Sequence, residues 1–524
     1  MNRSTLIVFC LLLLSFPVSN VQATATPQFR AYWVDAFGPG LYSEAQIMKL
    51  VSDAKAANMN AIIAQIGRRG DCFCNRAIMP RTEALIAPSP FDPLQMLIDM
   101  AHAEGLEVHA WISATAIWSS PIPPKDPNHV FNTHGPSRTG YDNWIMVRYD
   151  EVNRGGVDYY LDPGHPDAAD YSVRMYTSVV ANYDVDGINV DRIRYPDYNL
   201  GVNVPSWGYN SVAVARFQAV TGRADIPAPT DPAWVQWRRE QITNIVRRIY
   251  LEAYAIRPAV RISADTITYG DGPESQGGWE NTRAFVEVLQ DWRGWMEEGI
   301  IDLLIPMNYK REHITAEPDN QRRMSEEWNE FSKDHQYRRH VAIGTGLYLN
   351  SIEGSVAQIR KALAPNSAGN YGHGWVGFSY RSPDLLASQG TRSADEARAE
   401  LTRALTQPSG YDSLTPPLFA SPATVPTMGW KIQPTTGHIL GRVRTADGVP
   451  YDQVRVDLYD ENTEGFIGSR LTDGSGWFGF VDLAPGRYKL VVDCSGARSP
   501  CVRVTSVSGG RLAIVSVTPF MFLH

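Results

Sequence analysis

Short apolar runs recur along most of the chain, and between them apolar residues return every third or fourth place. These two patterns predict buried strands alternating with amphipathic helices. Residues 29–35 form the first strand. Ser43 and Gln46 then have capping-box spacing before a helix from about Glu44, whose Ile47, Leu50, Val51 and Ala54 share one face. Residues 61–66 are the second strand, and Asp92-Pro93 reads as an N-cap and first helical position ahead of Leu94, Leu97, Ile98 and Ala101. Residues 107–112 are the third strand. A helix over about 166–182 leads to the fourth, which opens at Val185. Asp231-Pro232 starts a longer helix with Ile242, Ile245, Val246 and Ile249 on one side. Strands five to eight fall at 260–264, 301–309, 340–346 and 374–380, with helices through Trp292 and Trp295 and near 394–405.

Eight strands, each followed by room for a helix, predict the α/β class and a (β/α)8 TIM barrel over residues 26–406. The rival, an open doubly wound sheet, expects a Gly-rich dinucleotide turn after the first strand, and none is there. The connection over 113–162 is long and rich in Pro, Asn and Gly, the signature of a functional or a disordered loop. Its Trp118, Tyr141 and Trp144 favour a structured cleft wall. Residues 407–436 turn rich in Pro, Ser and Thr and read as a linker. Residues 437–524 change to short alternating strands with turns at Asp447-Gly448, Asp473-Gly474 and Pro485-Gly486, the pattern of a small β-sandwich.

Composition narrows the function. The formal charge is −8 and no long basic run occurs, which argues against a nucleic-acid partner. A glycan is compatible with this balance. Residues 1–25 have a basic start, a short apolar core and a small-residue end, as a cleaved secretory signal does. An uncleaved anchor is the alternative. The expected location is therefore outside the cytoplasm, secreted, periplasmic or on the cell surface, with no integral membrane segment once the signal is gone. Cys72, Cys74, Cys494 and Cys501 would then remain, an even count that suggests disulfides. Cys494 and Cys501 flank a turn that they could close. Cys72 and Cys74 could form a tight ring, stay as thiols or bind metal.

In a parallel barrel the chemistry gathers where the strands end. The run from Val185 to Pro196 shows this most clearly, because an apolar strand breaks off into Asp191, Arg192, Arg194 and Tyr195. The other strand ends contribute Asp35; Arg68, Arg69 and Asp71; His109 and Trp111; Asn189; Asp265; Asn308 and Tyr309; Tyr348; and Tyr380 with Arg381. Carboxylates, arginines, amides and aromatics are the inventory of glycoside hydrolysis, in which one carboxyl protonates the leaving oxygen and another attacks or directs water. Asp191 and Asp265 are the expected catalytic pair, with Asp35 and Asp71 as rivals for the second place. Asp35, Arg69, Asp71, His109, Trp111, Asn189, Arg194, Tyr195, Asn308 and Tyr309 are the expected substrate contacts. No cofactor and no metal site is expected: His109 has no partner histidine at ligand spacing, which leaves metal-assisted deacetylation a weak third reading. Ser113 lacks a Ser-His-Asp context.

Several ordered motifs carry a family resemblance: Arg30-Ala31-Tyr32-Trp33-Val34, Arg69-Gly70-Asp71, Gly105 to Trp111, Leu161-Asp162-Pro163-Gly164, Asp186 to Asp191 with Tyr195-Pro196, and Ile305 to Tyr309. In them the chain resembles the glycosyl-hydrolase-like family 10 proteins. The resemblance implies a (β/α)8 fold and glycoside hydrolase activity on a polysaccharide, including peptidoglycan glycan strands for some members. The Asp186-Gly187 to Asp191 segment also resembles the fourth strand of α-amylase-type barrels, which implies a nucleophile at Asp191. The chain departs from the family pattern at Gly67, Asn189 and Ala264-Asp265. Those departures motivate the alternative of a non-catalytic glycan-binding or cell-surface protein. The late segment, through Gly441-Arg442-Val443, Thr472 to Phe478 and Leu483 to Tyr488, resembles carboxypeptidase-regulatory-like β-sandwiches, which are accessory modules.

Overall fold

The computed structural model describes residues 26–408, 410–411, 417–493 and 501–518. Eight parallel strands close into a barrel: β1 Phe29–Val34, β2 Ala61–Gly67, β3 Glu107–Ser113, β4 Gly187–Asp191, β5 Arg261–Thr266, β6 Leu303–Pro306, β7 His340–Gly346 and β8 Gly374–Phe378. Their residues are buried on both sides, which is why they read as near-continuous apolar runs. Alternate side chains face in or out. Phe29, Ala31, Trp33, Ile63, Trp111, Leu303, Ile305 and Val376 fill the interior. Tyr32, Val34, Ile62, Val108, Ile188, Val190 and Ile262 meet the surrounding helices.

Those helices include α1 Glu44–Ala56, α2 Pro93–Ala103, α3 Pro166–Asn182 and α4 Pro232–Ile256. Ser43 and Asp92 cap the first two by accepting from Gln46 N–H and Gln95 N–H. The sequence pattern did not single out the helices Ser211–Thr221, Gln321–Asp334 and Ile352–Leu363. The 113–162 connection is ordered. It carries the two-stranded ribbon of Ala116–Trp118 and Tyr159–Tyr160 and the short helix Val130–His134. After β2, Cys72 and Cys74 are joined as a disulfide. Cys494, the expected partner of Cys501, lies outside the described residues, as does the whole of the expected signal segment. Among the described residues no helix is long and apolar enough to cross a membrane.

The small C-terminal unit is all-β. Trp477–Leu483, Gly437–Val443 and Leu512–Val517 make one sheet; Phe466–Leu471, Arg455–Asp460, Gly486–Val492 and Cys501–Val507 make the other. Ile439, Val456, Leu458, Phe478, Phe480 and Leu490 form its core. Arg216 pairs both oxygens of Asp452 at 2.6 and 2.8 Å, and Arg339 reaches Asp482 at 2.6 Å, so ion pairs join it to the barrel.

The described part of the stretch expected as a linker is not a loose tether. It runs across the N-terminal end of the barrel and closes it. Backbone carbonyls of Ser421, Ala423, Thr424 and Pro426 accept from Arg30, Asn60, the Gln28 N–H and Arg261. The short helix Gly429–Ile432 places Lys431 and Trp430 on the buried Asp302. Pro and Ser residues suit such a path, because the barrel's own side chains satisfy its exposed carbonyls.

Candidate active site

The opposite, C-terminal end of the barrel holds a cavity of about 430 Å³. Asp191 is the last residue of β4 and lines it. The parallel ladder pairs Asn189 with Ser263 and Val190 with Ala264, so Asp191 and Asp265 come next on neighbouring strands. Strand spacing puts their backbones about 4.8 Å apart, and period two turns both side chains inward with Asn189 and Ser263.

Donors converge on Asp191. Trp111 Nε1–H donates to Oδ2 at 3.0 Å, the Arg192 N–H donates to Oδ1 at 2.6 Å, and Arg194 Nη1 stands 3.9 Å from Oδ1. Asp265 is only 2 % exposed. Burial, with the Asp191 charge beside it, pushes its carboxyl well above the usual carboxylate range. The Asn189 amide, which donates to Oδ1 at 2.9 Å, and the nearby Trp33 indole, which closes no full hydrogen bond of its own, oppose that rise without cancelling it. Two carboxyls thus lie on neighbouring strand ends in one cavity.

Aromatic rings wall the cavity. Tyr309 and Phe378 stack at 5.3 Å, Trp33 meets Tyr309 edge-on at 6.0 Å, Trp111 meets Phe378 edge-on at 6.4 Å, and Tyr348 adds a further ring. Apolar faces of sugar rings pack on such surfaces. Asp35 lies on the far rim. It accepts from the Phe37 N–H at 3.1 Å and from Ser379 Oγ at 3.3 Å, with Arg381 at 3.5 Å. Arg69 lines the cavity and is anchored through Nε to Asp158 at 2.8 Å.

Five expected substrate contacts, His109, Asp71, Tyr195, Asn308 and Asn189, do not line this cavity. His109 faces inward but one layer lower, opposite Ile63 and Gly187 in the ladders; its Nε2 meets Glu107 at 3.0 Å and Phe29 covers its ring. A Cβ at Gly187 would collide with it, so the glycine makes room for the imidazole. Asp71 turns away to bind Thr82 and Arg68 and holds its own loop. Tyr195 is buried beside Arg238. Asn308 donates to Ser325 O and Asn329 Oδ1 behind the barrel rim. Tyr380, another strand-end residue, bonds to Asp53 on α1. Asn189 is fully buried and reaches the site only through Asp265. Sequence reasoning missed Trp33, Gln65, Met307 and Phe378. Each sits at an inward position near its strand's end, so strand parity was the signal that could have found them. Among the described residues no group of three or more His, Cys, Asp or Glu is placed to hold a metal ion.

The model of the family described as Glycosyl hydrolase-like 10 matches residues 28–361. The glycosyl hydrolase YngK of Bacillus subtilis (strain 168) is 26% identical over 273 residues, which cover 50% of this chain and 48% of that protein. The glycosyl hydrolase DigH of Escherichia coli (strain K12) is 25% identical over 315 residues, covering 56% of this chain and 62% of that protein. The chain therefore spans less than two thirds of the length of either relative. Among solved structures, the glycoside hydrolase domain of PgaB (BpsB) from Bordetella bronchiseptica aligns with a TM-score of 0.47 at 14% identity, over 71% of this chain and 98% of that one.

Proposed function

The chain belongs to the glycosyl hydrolase-like 10 family, and on that premise we propose that it hydrolyses glycosidic bonds of a polysaccharide through the Asp191–Asp265 pair. Asp191 attacks the anomeric carbon, and protonated Asp265 gives its proton to the leaving oxygen. Water then completes the cycle, with Asp265 returning as base. Trp111 and Arg194 hold Asp191 in line, and the aromatic wall seats the sugar. The single observation that carries this reading is that Asp191 and Asp265 stand side by side at the ends of neighbouring strands and line one cavity. We further propose export through the residue 1–25 signal, peptidoglycan glycan strands as one substrate to try first, and an accessory carboxypeptidase-regulatory-like role for the C-terminal unit.

The test is Asp191→Asn, assayed on peptidoglycan strands and common polysaccharides with products identified by mass. Turnover is expected to vanish while folding and glycan binding persist. Unchanged turnover removes Asp191 from the mechanism. Glycan binding without cleavage is the second reading, favoured by the near-complete burial of Asp265. Wild-type protein that binds strands and releases no product would establish it.

A further inference from the structure

Arg192 follows Asp191 with φ 51, a left-handed backbone that costs a bulky residue conformational energy and that clusters at functional sites. The turn serves two ends. It aims the Arg192 N–H at Asp191 and brings the guanidinium onto the cavity wall. There Nη1 donates to Asp158 Oδ2 at 2.8 Å and to the Tyr160 hydroxyl at 3.1 Å. Asp158 is already bound by Arg69, at 2.8 Å from Nε and 3.3 Å from Nη2. Two guanidiniums therefore share one carboxylate, whose side chain is only 4% exposed. Asp191 has its own cation in Arg194. The Arg192 guanidinium thus stands on the wall of a partly desolvated cleft, where its field is strong, and shares Asp158 with Arg69. Arg69 spends its donors on Asp158 and the Arg68 carbonyl. Arg192 keeps Nε and Nη2 without hydrogen-bond partners among the described residues, on a side chain 30% exposed. A staple for the 113–162 loop needs only Arg69. A second, open-forked arginine next to the nucleophile needs another reason.

We propose that Arg192 binds a carboxylate carried by the sugar next to the scissile bond, so that the protein selects acidic saccharides. This rests on the glycoside hydrolase reading of the same cavity. A planar fork matches a carboxylate through two parallel N–H donors, and Arg192 holds Nε and Nη2 open on the cavity wall. The acid could be a ring carboxyl, as in a uronate, or a lactyl ether, as in N-acetylmuramate. Both present the same group to the fork.

The experiment is a binding titration of the full chain, followed by ligand-observed NMR, with glucuronate against glucose and N-acetylmuramate against N-acetylglucosamine. At least one acid is expected to bind about tenfold or more tighter than its neutral counterpart, the worth of one charge-assisted contact. The acid that does so identifies the source. Arg192→Gln is expected to erase that preference, Arg192→Lys to keep part of it, and 0.5 M salt to weaken it. Equal binding of acid and neutral sugars, no binding of either acid, or a preference untouched in Arg192→Gln overturns the proposal. The Lys variant preserves the charge, so a folding failure of the Gln variant leaves the comparison standing. If Asp191→Asn retains turnover but the acid preference survives, the hydrolytic reading falls and the anion site remains. If Asp191→Asn is dead and the preference is absent, the anion site alone falls.

Discussion

Asn189 donates its Nδ2–H to Asp265 Oδ1 at 2.9 Å and so ties the buried carboxyl to the strand that ends in Asp191. The bonded oxygen is fixed as an acceptor, which leaves the proton of a neutral Asp265 to Oδ2. The bond thereby orients the carboxyl, while burial and the Asp191 charge hold its proton on.

Asp265→Asn should lower turnover of ordinary glycosides by about 10²–10⁴-fold, the usual worth of a positioned acid. A dinitrophenyl glycoside, whose leaving group needs no proton, should lose far less. The wild-type alkaline limb of kcat/KM should lie above the ordinary carboxylate range, because burial and the Asp191 charge hold the proton on, and the variant should lack it. Equal losses on both substrates would contradict the acid role.

Trp111→Phe removes the indole donor to Asp191 while keeping a ring against Phe378. Loss of one preorganised donor predicts a fall in kcat of about 10²-fold, with KM changed much less. A rise in KM alone would make Trp111 a sugar platform instead.

Stability should fall in mild acid. Burial lowers His165, His373 and His438 to about 4, and His340 further still. An unfolded histidine takes its proton near pH 6.5. The unfolded chain therefore binds protons that the folded one refuses, and stability is complete above about pH 6.5 and declines towards pH 4. Asp162, raised by burial to about 6, and Asp265 act in the opposite sense, since the folded chain protonates them first. With His129 and His335 also lowered and Asp167 and Glu252 also raised, six histidines stand against four carboxyls, and the net slope is positive. Melting temperatures at pH 7.5 and 4.5 check the sign.

Lys431 and Asp302 form a wholly buried ion pair beneath the barrel. Lys431→Met leaves Asp302 with its Ile262 N–H and Trp430 bonds but no cation, and should cost about 3–5 kcal/mol. Combining it with Asp302→Asn should return much of that loss. Urea midpoints of the two variants measure it.

Most of the barrel was legible because its strands are buried on both faces and leave unbroken apolar runs. The site was legible to the level of strand ends. Finer placement needed register. His109 and Trp111 lie two residues apart on the same face of β3, yet only Trp111 stands high enough to meet Asp191, and nothing local in the sequence fixes that height. Asp71 and Tyr195 lie off the cavity for another reason: loop geometry after a strand, not proximity to its end, decides where a side chain turns. Asp158 was invisible because its partners Arg69 and Arg192 are brought to it by tertiary folding of the 113–162 connection.

The residues over 417–436 have a bearing on how this protein can be dissected. Composition invites a cut after Thr406 to isolate the barrel, yet that cut would pull the stopper from its floor. Arg261, Asp302 and His340 would meet water with no replacement for Pro426, Trp430 and Lys431. A shortened version that keeps the chain through Gln433 would retain the cork, and with it the footing on which the opposite rim depends.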